Sequence, residues 1–370
     1  MSMSIALCRD SEVPEVMEFF DRHWQADHVL SRDEALLRWQ FSPPGGRALE
    51  GDLSILLARE NGRLMGTLGL IPTDFSIHGE TVPGVWLAML RSLQDGATPG
   101  VGMKLMAAVR ALPFEAAGTL GMNGTVVRLF QFFGYRPVTT RRRMAILDRP
   151  VTAFLAGTAE NTLPPARPPL DGVGDASGDL DVIALAPSQP LPPSWDETWR
   201  TKLAPALAGA ARDRVYLDWR FAHHPRFVYR RLLAVRAGRP AGLAVFRVET
   251  VRDHPITVIR LVELLGDADV QAILAAHVLD EARGSGAAFV DVQTAPDTPQ
   301  PGLERAGFRA LSPDEAAAIP QFFQPLLRGT NGVLRGAFWA NPMLRARHGA
   351  FEASPSLLLT GADCDQDRPN

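Results

Sequence analysis

The feature that most constrains this chain is an internal repeat. Three pairs of segments match in the same order and at nearly the same spacing: LLRWQF at 36–41 with YLDWRF at 216–221, LLARENGRLMG at 56–66 with LLAVRAGRPAG at 232–242, and FGYRPV at 133–138 with AGFRAL at 306–311. Ordered self-similarity of this kind is the signature of a duplicated structural unit. The sequence therefore predicts two copies of one domain.

The length of the chain and a shift in its composition predict where the copies divide. A chain of 370 residues exceeds the usual size of one domain and suits two. Proline and glycine become dense after residue 150, as expected of a linker. We predict an N-terminal domain over 1–150, a linker over 151–180, a second domain over 181–345, and a tail over 346–370 that is polar and disordered from Gly361 onward.

Charge and cysteine usage exclude several classes of protein. The formal net charge is -3, with 38 basic and 41 acidic residues, so the overall charge does not favour binding to nucleic acid or to an anionic membrane. Cys8 and Cys364 lie near opposite ends of the chain, which argues against a disulfide framework or a cysteine-rich zinc site. No apolar stretch resembles a signal peptide or a membrane helix. We expect a soluble cytoplasmic protein without a metal cofactor.

Residues 85–104 predict a buried strand, a glycine-rich turn and a helix. The first residues of the stretch carry no charge, as in a strand buried on both faces, and Thr98 is placed to cap the following helix. Gly100 and Gly102 fall in the first helical turn, where each costs about 1 kcal/mol of helix stability relative to alanine. Backbone amides at a helix start attract anions, and Lys104 adds a positive charge. The stretch is therefore a candidate pyrophosphate site.

The two glycines have an equally good structural explanation. A glycine between a strand and a helix also lets the two elements pack closely, and an isolated Gly-x-Gly is a weak motif. The sequence leaves both explanations open.

The order of elements resembles that of the GNAT family, the GCN5-related N-acetyltransferases. Gly100 and Gly102 match the glycines of the family's pyrophosphate loop, Arg/Gln-x-x-Gly-x-Gly/Ala. Asn123, Phe130 and the Phe-Gly-Tyr segment at 133–135 resemble the family's ending, in which an asparagine, a tyrosine and a glycine-aromatic pair follow one another. The resemblance implies an α+β fold of two tandem GNAT-like domains, each a mixed, mostly antiparallel central sheet flanked by helices.

The resemblance also implies which residues bind an acyl-CoA, with acetyl-CoA as the expected co-substrate. The pantetheine arm is expected on the backbone near 92–94 and the pyrophosphate on amides at the helix start. The full set is Ser92, Leu93, Gln94, Gly100, Val101, Gly102, Met103, Lys104, Asn123 and Phe130. Two positions depart from the family, because Ala97 replaces a basic or amide side chain and Phe130 replaces a tyrosine that often protonates the departing thiolate.

The base that would neutralise an attacking amine has four candidates. His23 and His28 flank Trp24 in the segment between two predicted helices, and imidazole accepts a proton near pH 7. His78 lies on a predicted hairpin, and Glu263 belongs to the second copy. Each of the four is more simply explained as an ordinary polar residue of a loop or strand.

The second copy departs from the first where the pyrophosphate is expected. Gly266 is followed by Asp267 and Asp269 at the start of the corresponding helix. Carboxylates there stabilise the helix but repel a pyrophosphate. We therefore expect the first copy to bind acyl-CoA and the second to be a degenerate copy that helps to wall the substrate cleft.

The predicted function is transfer of an acyl group, most simply acetyl, from acyl-CoA to a small polar amine such as an amino sugar, by direct attack of the amine on the thioester. Two alternatives stay open. One is a Fem-like aminoacyl or peptidyl transferase, which also pairs two such domains, although the chain has no charged coiled-coil arm and no basic excess for tRNA. The other is a non-catalytic acyl-CoA-binding sensor, suggested by Ala97 and Phe130.

Overall fold

The structure is a computed structural model of the chain. It describes residues 3–44, 49, 51–93, 99–163, 179–295, 300–324, 326–328 and 334–367. Of the residues singled out above, Gln94, Ala97 and Thr98 lie outside the described part of the chain.

The first half of the chain has a strand, three helices, a run of antiparallel strands, and then alternating helices and strands. Its elements are β1 (Met3–Cys8), α1 (Val13–His23), α2 (Val29–Arg32), α3 (Glu34–Phe41), β2 (Leu53–Glu60), β3 (Arg63–Ile77), β4 (Glu80–Ser92), α4 (Val101–Arg110), β5 (Ala116–Leu120), α5 (Gly124–Phe132), β6 (Arg136–Thr139) and β7 (Arg141–Ile146). Asn61 and Gly62 turn the chain between β2 and β3 with φ angles of 51° and 82°, as the Asn-Gly hairpin signal predicts. Strands β1 to β4 pair antiparallel in chain order, and β5 pairs parallel with β4.

The remainder of the chain repeats this order with insertions. Its elements are α6 (Arg149–Ala156), β8 (Leu180–Leu185), α7 (Ser194–Thr198), β9 (Ala208–Ala210), α8 (Arg214–Leu217), β10 (Arg230–Arg236), β11 (Arg239–Thr250), β12 (Thr257–Leu265), α9 (Ala268–Gly284), β13 (Phe289–Ala295), α10 (Pro301–Arg305), β14 (Arg309–Ala310), α11 (Pro313–Ala318), β15 (Phe322–Phe323), β16 (Leu326–Leu327), β17 (Arg335–Ala340), α12 (Pro342–His348) and β18 (Leu357–Thr360). Strands β8, β10, β11 and β12 pair antiparallel in that order, and β13 pairs parallel with β12. Both halves therefore build the same sheet, which confirms the duplication and the α+β fold class.

The two halves exchange one strand. β7 of the first half pairs with β13 and β14 of the second half. In return, β17 of the second half lies between β5 and β6 of the first. The order of elements along the chain would place β7 at the end of the first sheet and β17 at the end of the second, and the pairings show the opposite arrangement. Each sheet is completed by a strand from the other half of the chain.

Two further strands join the two sheets. β9 pairs with β3 and β18, and β18 pairs with β13, so that the described strands include one continuous sheet of 16 strands. The repeated residues Trp39 and Trp219, one from each half, stack with ring centroids 4.8 Å apart. These tryptophans pack at the contact between the halves, where Trp219 is buried and Trp39 is half-buried.

The end of the chain is not the disordered tail that we expected. Residues 361–367 pack between the two halves, and Cys364 is only 3% exposed. The Asp363 carboxylate accepts two hydrogen bonds from the buried Arg212 guanidinium, at 2.8 and 2.9 Å. The expected linker also begins with a helix, α6, whose Leu155 is buried in the core of the second half. The described residues 149–156 and 361–367 therefore belong to the folded body of the protein, while 164–178 and 368–370 lie outside the described part of the chain.

One smaller expectation about the first half is also corrected. Helix α4 begins at Val101, with Gly100 rather than Thr98 in the N-cap position, at a φ of 76°. Strand β3 runs unbroken from Arg63 to Ile77. Gly100 still follows the end of β4.

Candidate functional site

A cavity opens in the first half where two parallel strands separate. β4 and β5 pair as far as Leu87 and Thr119 and then diverge. The space between them measures about 340 Å³, which is within the range of small-molecule sites. Its walls come from the ends of both strands, from α5, from Trp24 and from the C-terminal segment. We call this space the first-half cavity.

Strand β4 is irregular in the wall of this cavity. One extra residue on β4 interrupts its pairing with β3, opposite the stretch between Thr67 and Gly69. Met89 at this bulge has a φ of 53°, in the left-handed region that residues other than glycine seldom adopt. Bulges and strained backbone recur beside active sites, because they re-aim backbone groups. The regular ladder is thus broken at the point where the cavity begins.

The start of helix α4 has no side-chain cap of its own, because its N-cap residue is Gly100. A Cβ at Gly102 would meet only the Ser92 Oγ at 3.5 Å and a Leu129 methyl carbon at 3.7 Å, and both are ordinary contacts. Gly100 has a φ of 76°, a backbone conformation that glycine adopts more readily than other residues. The nearest described atom to a Cβ at Gly100 would be Met103 Cβ, at 4.0 Å. Close packing therefore does not explain Gly102, which favours the ligand explanation.

The other residues expected to hold an acyl-CoA surround this helix start. Met103 and Lys104 are exposed on the first turn of α4, whereas Val101 is buried beneath it. The backbone amide of Leu93 donates to the Met65 carbonyl at 2.8 Å, so that amide is already used within the sheet. The exposed side chains of Met103 and Lys104 therefore lie on the first turn of α4, which follows the end of β4.

Asn123 and Phe130 line the first-half cavity and also have structural roles. The Asn123 Oδ1 accepts hydrogen bonds from the Thr125 and Val126 amides at 3.1 and 3.2 Å and so caps α5. Phe130 packs edge-on against Tyr135, with ring centroids 5.1 Å apart. The Tyr135 hydroxyl is buried without a hydrogen-bond partner among the described residues, and burial raises its pKa. Tyr135 is not part of the cavity lining, so it does not replace the tyrosine expected at Phe130.

The C-terminal segment supplies polar groups to the cavity. The Gln366 side-chain amide donates to the Leu120 carbonyl at 2.9 Å and to Asp365 Oδ1 at 2.8 Å. Asp365 is 5% exposed and lines the cavity. Sequence reasoning missed both residues because it assigned the segment to a tail. The signal that could have found them is the apolar run of β18 directly before Gly361, which is typical of a buried strand.

Two more side chains contribute to the lining. Trp24, which is 38% exposed, lies in the segment after α1. Arg335 is the first residue of the exchanged strand β17 and is exposed, while its backbone carbonyl accepts the Met122 amide at 2.9 Å. Sequence reasoning missed Arg335 because it assigned that strand to the other half.

The structure does not bring the candidate histidines into the lining of the cavity. His23 is half-buried at the end of α1. His28 is buried, and its Nδ1 accepts the Leu30 amide at 3.2 Å, which caps α2. His78 lies at the turn before β4, at the opposite end of that strand from the cavity, with its Nε2 2.8 Å from the Ser356 Oγ. The position of His78 removes it from the candidates for a base at this cavity.

Glu263 is also absent from the cavity lining and is engaged elsewhere. Its carboxylate is fully buried and accepts a hydrogen bond from Arg212, which also binds Asp363. Burial and the second carboxylate raise the pKa of Glu263 against the opposing charge of Arg212. This buried triad holds the C-terminal segment to the second half, so Glu263 has a structural role and is withdrawn as a base.

The corresponding cleft of the second half is filled by charged side chains. Arg260 and Asp291 occupy the positions that Trp86 and Gly118 hold in the first half, since each pair directly precedes the last parallel pairing. Asp291 forms ion pairs with Arg142 at 2.6 Å and Arg260 at 3.2 Å. Burial opposes ionisation of Asp291, but the two arginines outweigh it and lower its pKa. The remaining space measures only about 60 Å³.

The helix start of the second half is closed as well. The Asp267 carboxylate accepts the Asp269 and Val270 amides at 3.1 and 2.9 Å and so caps α9, as the sequence predicted. Helix α10 packs against α9, where a Cβ at Gly302 would lie 2.8 Å from the Ala268 carbonyl oxygen. A carboxylate and a neighbouring helix therefore occupy the position that is open in the first half.

Two features are absent from the described residues. They contain no group of three or more histidine, cysteine, aspartate or glutamate side chains placed to hold a metal ion. Within the same part of the chain, no helix is long and apolar enough to cross a membrane.

Comparison with known proteins identifies the same fold in solved structures. No family model and no curated protein matches the sequence. A GCN5-related N-acetyltransferase from Anabaena variabilis matches with a TM-score of 0.59 at 11% identity, over 91% of this chain and 72% of that one. A probable N-acyltransferase from Enterococcus faecalis, described as a conserved protein of unknown function, matches with a TM-score of 0.55 at 10% identity, over 92% and 72%. Both matches extend over both halves of the chain.

Proposed function

Because the chain has the fold of the GCN5-related N-acetyltransferases in two tandem copies, we propose that it is an N-acyltransferase that uses an acyl-CoA, most simply acetyl-CoA, as donor. The observation that carries the proposal is one juxtaposition in the first half. An uncapped, glycine-containing helix start lies just beyond the strand whose end opens into a small-molecule cavity. The second half has lost both features, so we assign the donor to the first half alone.

The open start of α4 suits the pyrophosphate of the donor. The amides of Val101, Gly102 and Met103 carry the positive end of the helix dipole, and Lys104 adds a full charge. Gly102 leaves the approach to these amides clear of a side chain. The pantetheine arm would then follow the end of β4 into the cavity, where the bulge at Met89 lies. Asn123 and Phe130 form the wall of the cavity on the α5 side.

Asp365 is the base that we assign to the reaction. It is buried in the lining, and the Gln366 amide fixes one of its oxygens. The nitrogen of a neutral amine attacks the thioester carbonyl carbon, the carbon–sulfur bond breaks, and the proton lost by the nitrogen passes to the Asp365 carboxylate. A carboxylate has about four lone-pair sites, so it accepts this proton while it keeps the Gln366 hydrogen bond.

The departing thiolate needs no dedicated acid. Phe130 cannot donate a proton, but a thiol has a pKa of about 8.5, so the thiolate is a good leaving group that water or protonated Asp365 can neutralise. The missing tyrosine therefore does not by itself favour a non-catalytic protein. The acceptor is a small amine, with an amino sugar as one example, because a cavity of about 340 Å³ excludes large substrates from the reacting centre.

Calorimetric titration with acetyl-CoA tests the donor site. Gly102→Glu places a carboxylate at the α4 start where the neighbouring atoms leave room for it, so we expect the variant to fold and to bind acetyl-CoA at least about 10-fold more weakly. Gly284→Glu is the matched control, since nothing lies within 4 Å of a Cβ there. Equal affinity of the wild-type protein and both variants would remove the donor from this helix.

Release of free thiol from acetyl-CoA in the presence of amines tests the activity. We expect turnover by the wild-type protein, and a loss of at least about 100-fold in kcat for Asp365→Asn with unchanged affinity for acetyl-CoA. Tight binding of acetyl-CoA without turnover on any amine would support a non-catalytic sensor instead. A Fem-like transferase would be indicated by activity with aminoacyl-tRNA and none with acetyl-CoA.

A further inference from the structure

Arg335 is the cationic side chain in the lining of the first-half cavity, and Asp365 is the anionic one. Resting on the function proposed above, we infer that the acceptor is an amine that also carries a carboxylate, of the amino-acid class, with its nitrogen at Asp365 and its carboxylate at Arg335. The pairing of opposite charges in one small cavity is what distinguishes this acceptor from a neutral amino sugar.

The position of Arg335 is fixed while its side chain stays accessible. Its backbone is held in the exchanged strand, paired with Thr139 of β6 and bonded to the Met122 amide. The side chain is exposed, and no described carboxylate forms an ion pair with it. A guanidinium on a rigid strand presents a planar set of donors that matches a carboxylate in two parallel hydrogen bonds.

The surroundings of Arg335 add to its attraction for an anion. One of its terminal nitrogens, Nη1, lies 3.9 Å from the position of a Cβ on Gly124, the first residue of α5. The positive end of that helix dipole therefore lies beside the guanidinium. A side chain at residue 124 would narrow this space, and glycine leaves it open. Arg335 and the start of α5 thus form the positive side of the cavity. The other described lining residues contribute mostly apolar side chains and amide groups.

The opposite side of the cavity suits an ammonium group. Asp365 is buried, and the only charge that the described lining places in the same cavity is that of Arg335. An incoming ammonium group is attracted by this carboxylate, and once it has lost one proton to solvent the neutral amine attacks while Asp365 stays ionised to accept the second proton. An amine with its own carboxylate thus neutralises both charges of the cavity at once, whereas an amino sugar would leave Arg335 without a partner.

The test compares acceptors that differ only in the acid group. Leucine, methionine, phenylalanine and glutamine are assayed beside their primary carboxamides, with glucosamine as an amine that lacks an acid, by thiol release from saturating acetyl-CoA. We expect at least one free amino acid to exceed its carboxamide and glucosamine by about 10-fold or more in kcat/KM, since hydrogen bonds to charged groups are worth that much.

Substitution of Arg335 assigns the preference to this residue. Arg335→Gln should reduce the ratio of acid to amide to about one, chiefly through KM, while the affinity for acetyl-CoA stays unchanged. Arg128→Gln, on the exposed face of α5 outside the cavity lining, is the matched control and should keep the wild-type ratio.

Three results would overturn the inference. They are equal use of acids and amides, preference for glucosamine, and loss of acetyl-CoA affinity in Arg335→Gln, which would assign this arginine to the donor phosphates. Binding of acetyl-CoA with no turnover on any of these amines would also count against it. Failure of the proposed function has different results, which are no acetyl-CoA binding by the wild-type protein in the calorimetric titration, or binding without turnover on a panel that also includes amines outside these classes.

Discussion

The two halves of this protein share an order of elements but differ at the one place where a ligand could enter. In the first half, strands β4 and β5 separate around a cavity of about 340 Å³, and helix α4 begins without a side-chain cap. In the second half, Arg142, Asp291 and Arg260 fill the cleft, and Asp267 caps helix α9. Both halves thus keep the same scaffold, whereas the cavity of this size lies in the first half.

The difference teaches that a degenerate site is closed by groups that stabilise the fold. A buried ion pair satisfies its own charges, and a carboxylate at a helix start satisfies the free amides. The same groups exclude an anionic ligand from the position. In the first half the amides at the start of α4 have no such cap. The stability of this half therefore has to come from other contacts, including strand β17, which the second half contributes.

The largest expected effect concerns the ion cluster that fills the second-half cleft. Asp291→Asn leaves Arg142 buried without the carboxylate it pairs with and removes the ion pair of Arg260, so we expect the free energy of unfolding to fall by about 3–5 kcal/mol. Urea denaturation at pH 7 measures it. The matched control is Asp269→Asn, where the same change removes an exposed ion pair with Arg305 and should cost about 1 kcal/mol or less.

Equal losses in Asp291→Asn and Asp269→Asn would contradict the comparison. They would mean that the cluster only occupies space in the second-half cleft. In that event the buried ion pairs would not stabilise the second half, and filling its cleft with charged side chains would not raise the free energy of unfolding.

An intermediate effect is expected at the contact between the halves. His224 of the second half packs edge-on against Trp39 of the first, with ring centroids 4.4 Å apart. Burial, together with the charges of Arg220 and Arg247, lowers the pKa of His224 to about 3. The unfolded chain binds this proton near pH 6.5, so folding stability is lost as the pH falls below that value toward 3.

The measurement for His224 is urea denaturation of the wild-type protein and of His224→Gln at pH 7 and pH 5. One proton taken up only by the unfolded state costs about 1.4 kcal/mol per pH unit, so the wild-type protein should lose about 2 kcal/mol more than the variant over this interval. Tryptophan fluorescence follows the Trp39–Trp219 stack in the same samples. An identical pH dependence in the two proteins would show that His224 is not held neutral at the contact.

Much of the fold could be predicted from the sequence because its signals are local or repeated. The Asn61-Gly62 turn, the glycine after α5 and the three repeated segments each reflect a backbone or packing need that a few residues express. The strand exchange could not be predicted in this way. β7 and β17 are both short strands, and no local pattern in either one specifies the sheet that it joins.

Only the proposed donor side of the site has a local sequence signal. Gly100, Gly102 and Lys104 lie close together in the sequence, so a short motif is enough to propose a pyrophosphate site there. Arg335 and Asp365 enter the same cavity from the exchanged strand and from the C-terminal segment. Their position depends on pairings between distant parts of the chain, and no local pattern expresses it.

The smallest expected effect concerns the Asp267 carboxylate, and it tests whether this group alone closes the start of α9 to a ligand. Asp267→Ala removes the cap of α9 and should lower the free energy of unfolding by about 1 kcal/mol, as loss of an N-cap does. It should not create a second acetyl-CoA site, because α10 still packs against the start of α9 and Gly302 lies against the Ala268 carbonyl. Calorimetric titration should therefore still give one acetyl-CoA per chain, and a stoichiometry of two would mean that charge, rather than packing, separates the halves.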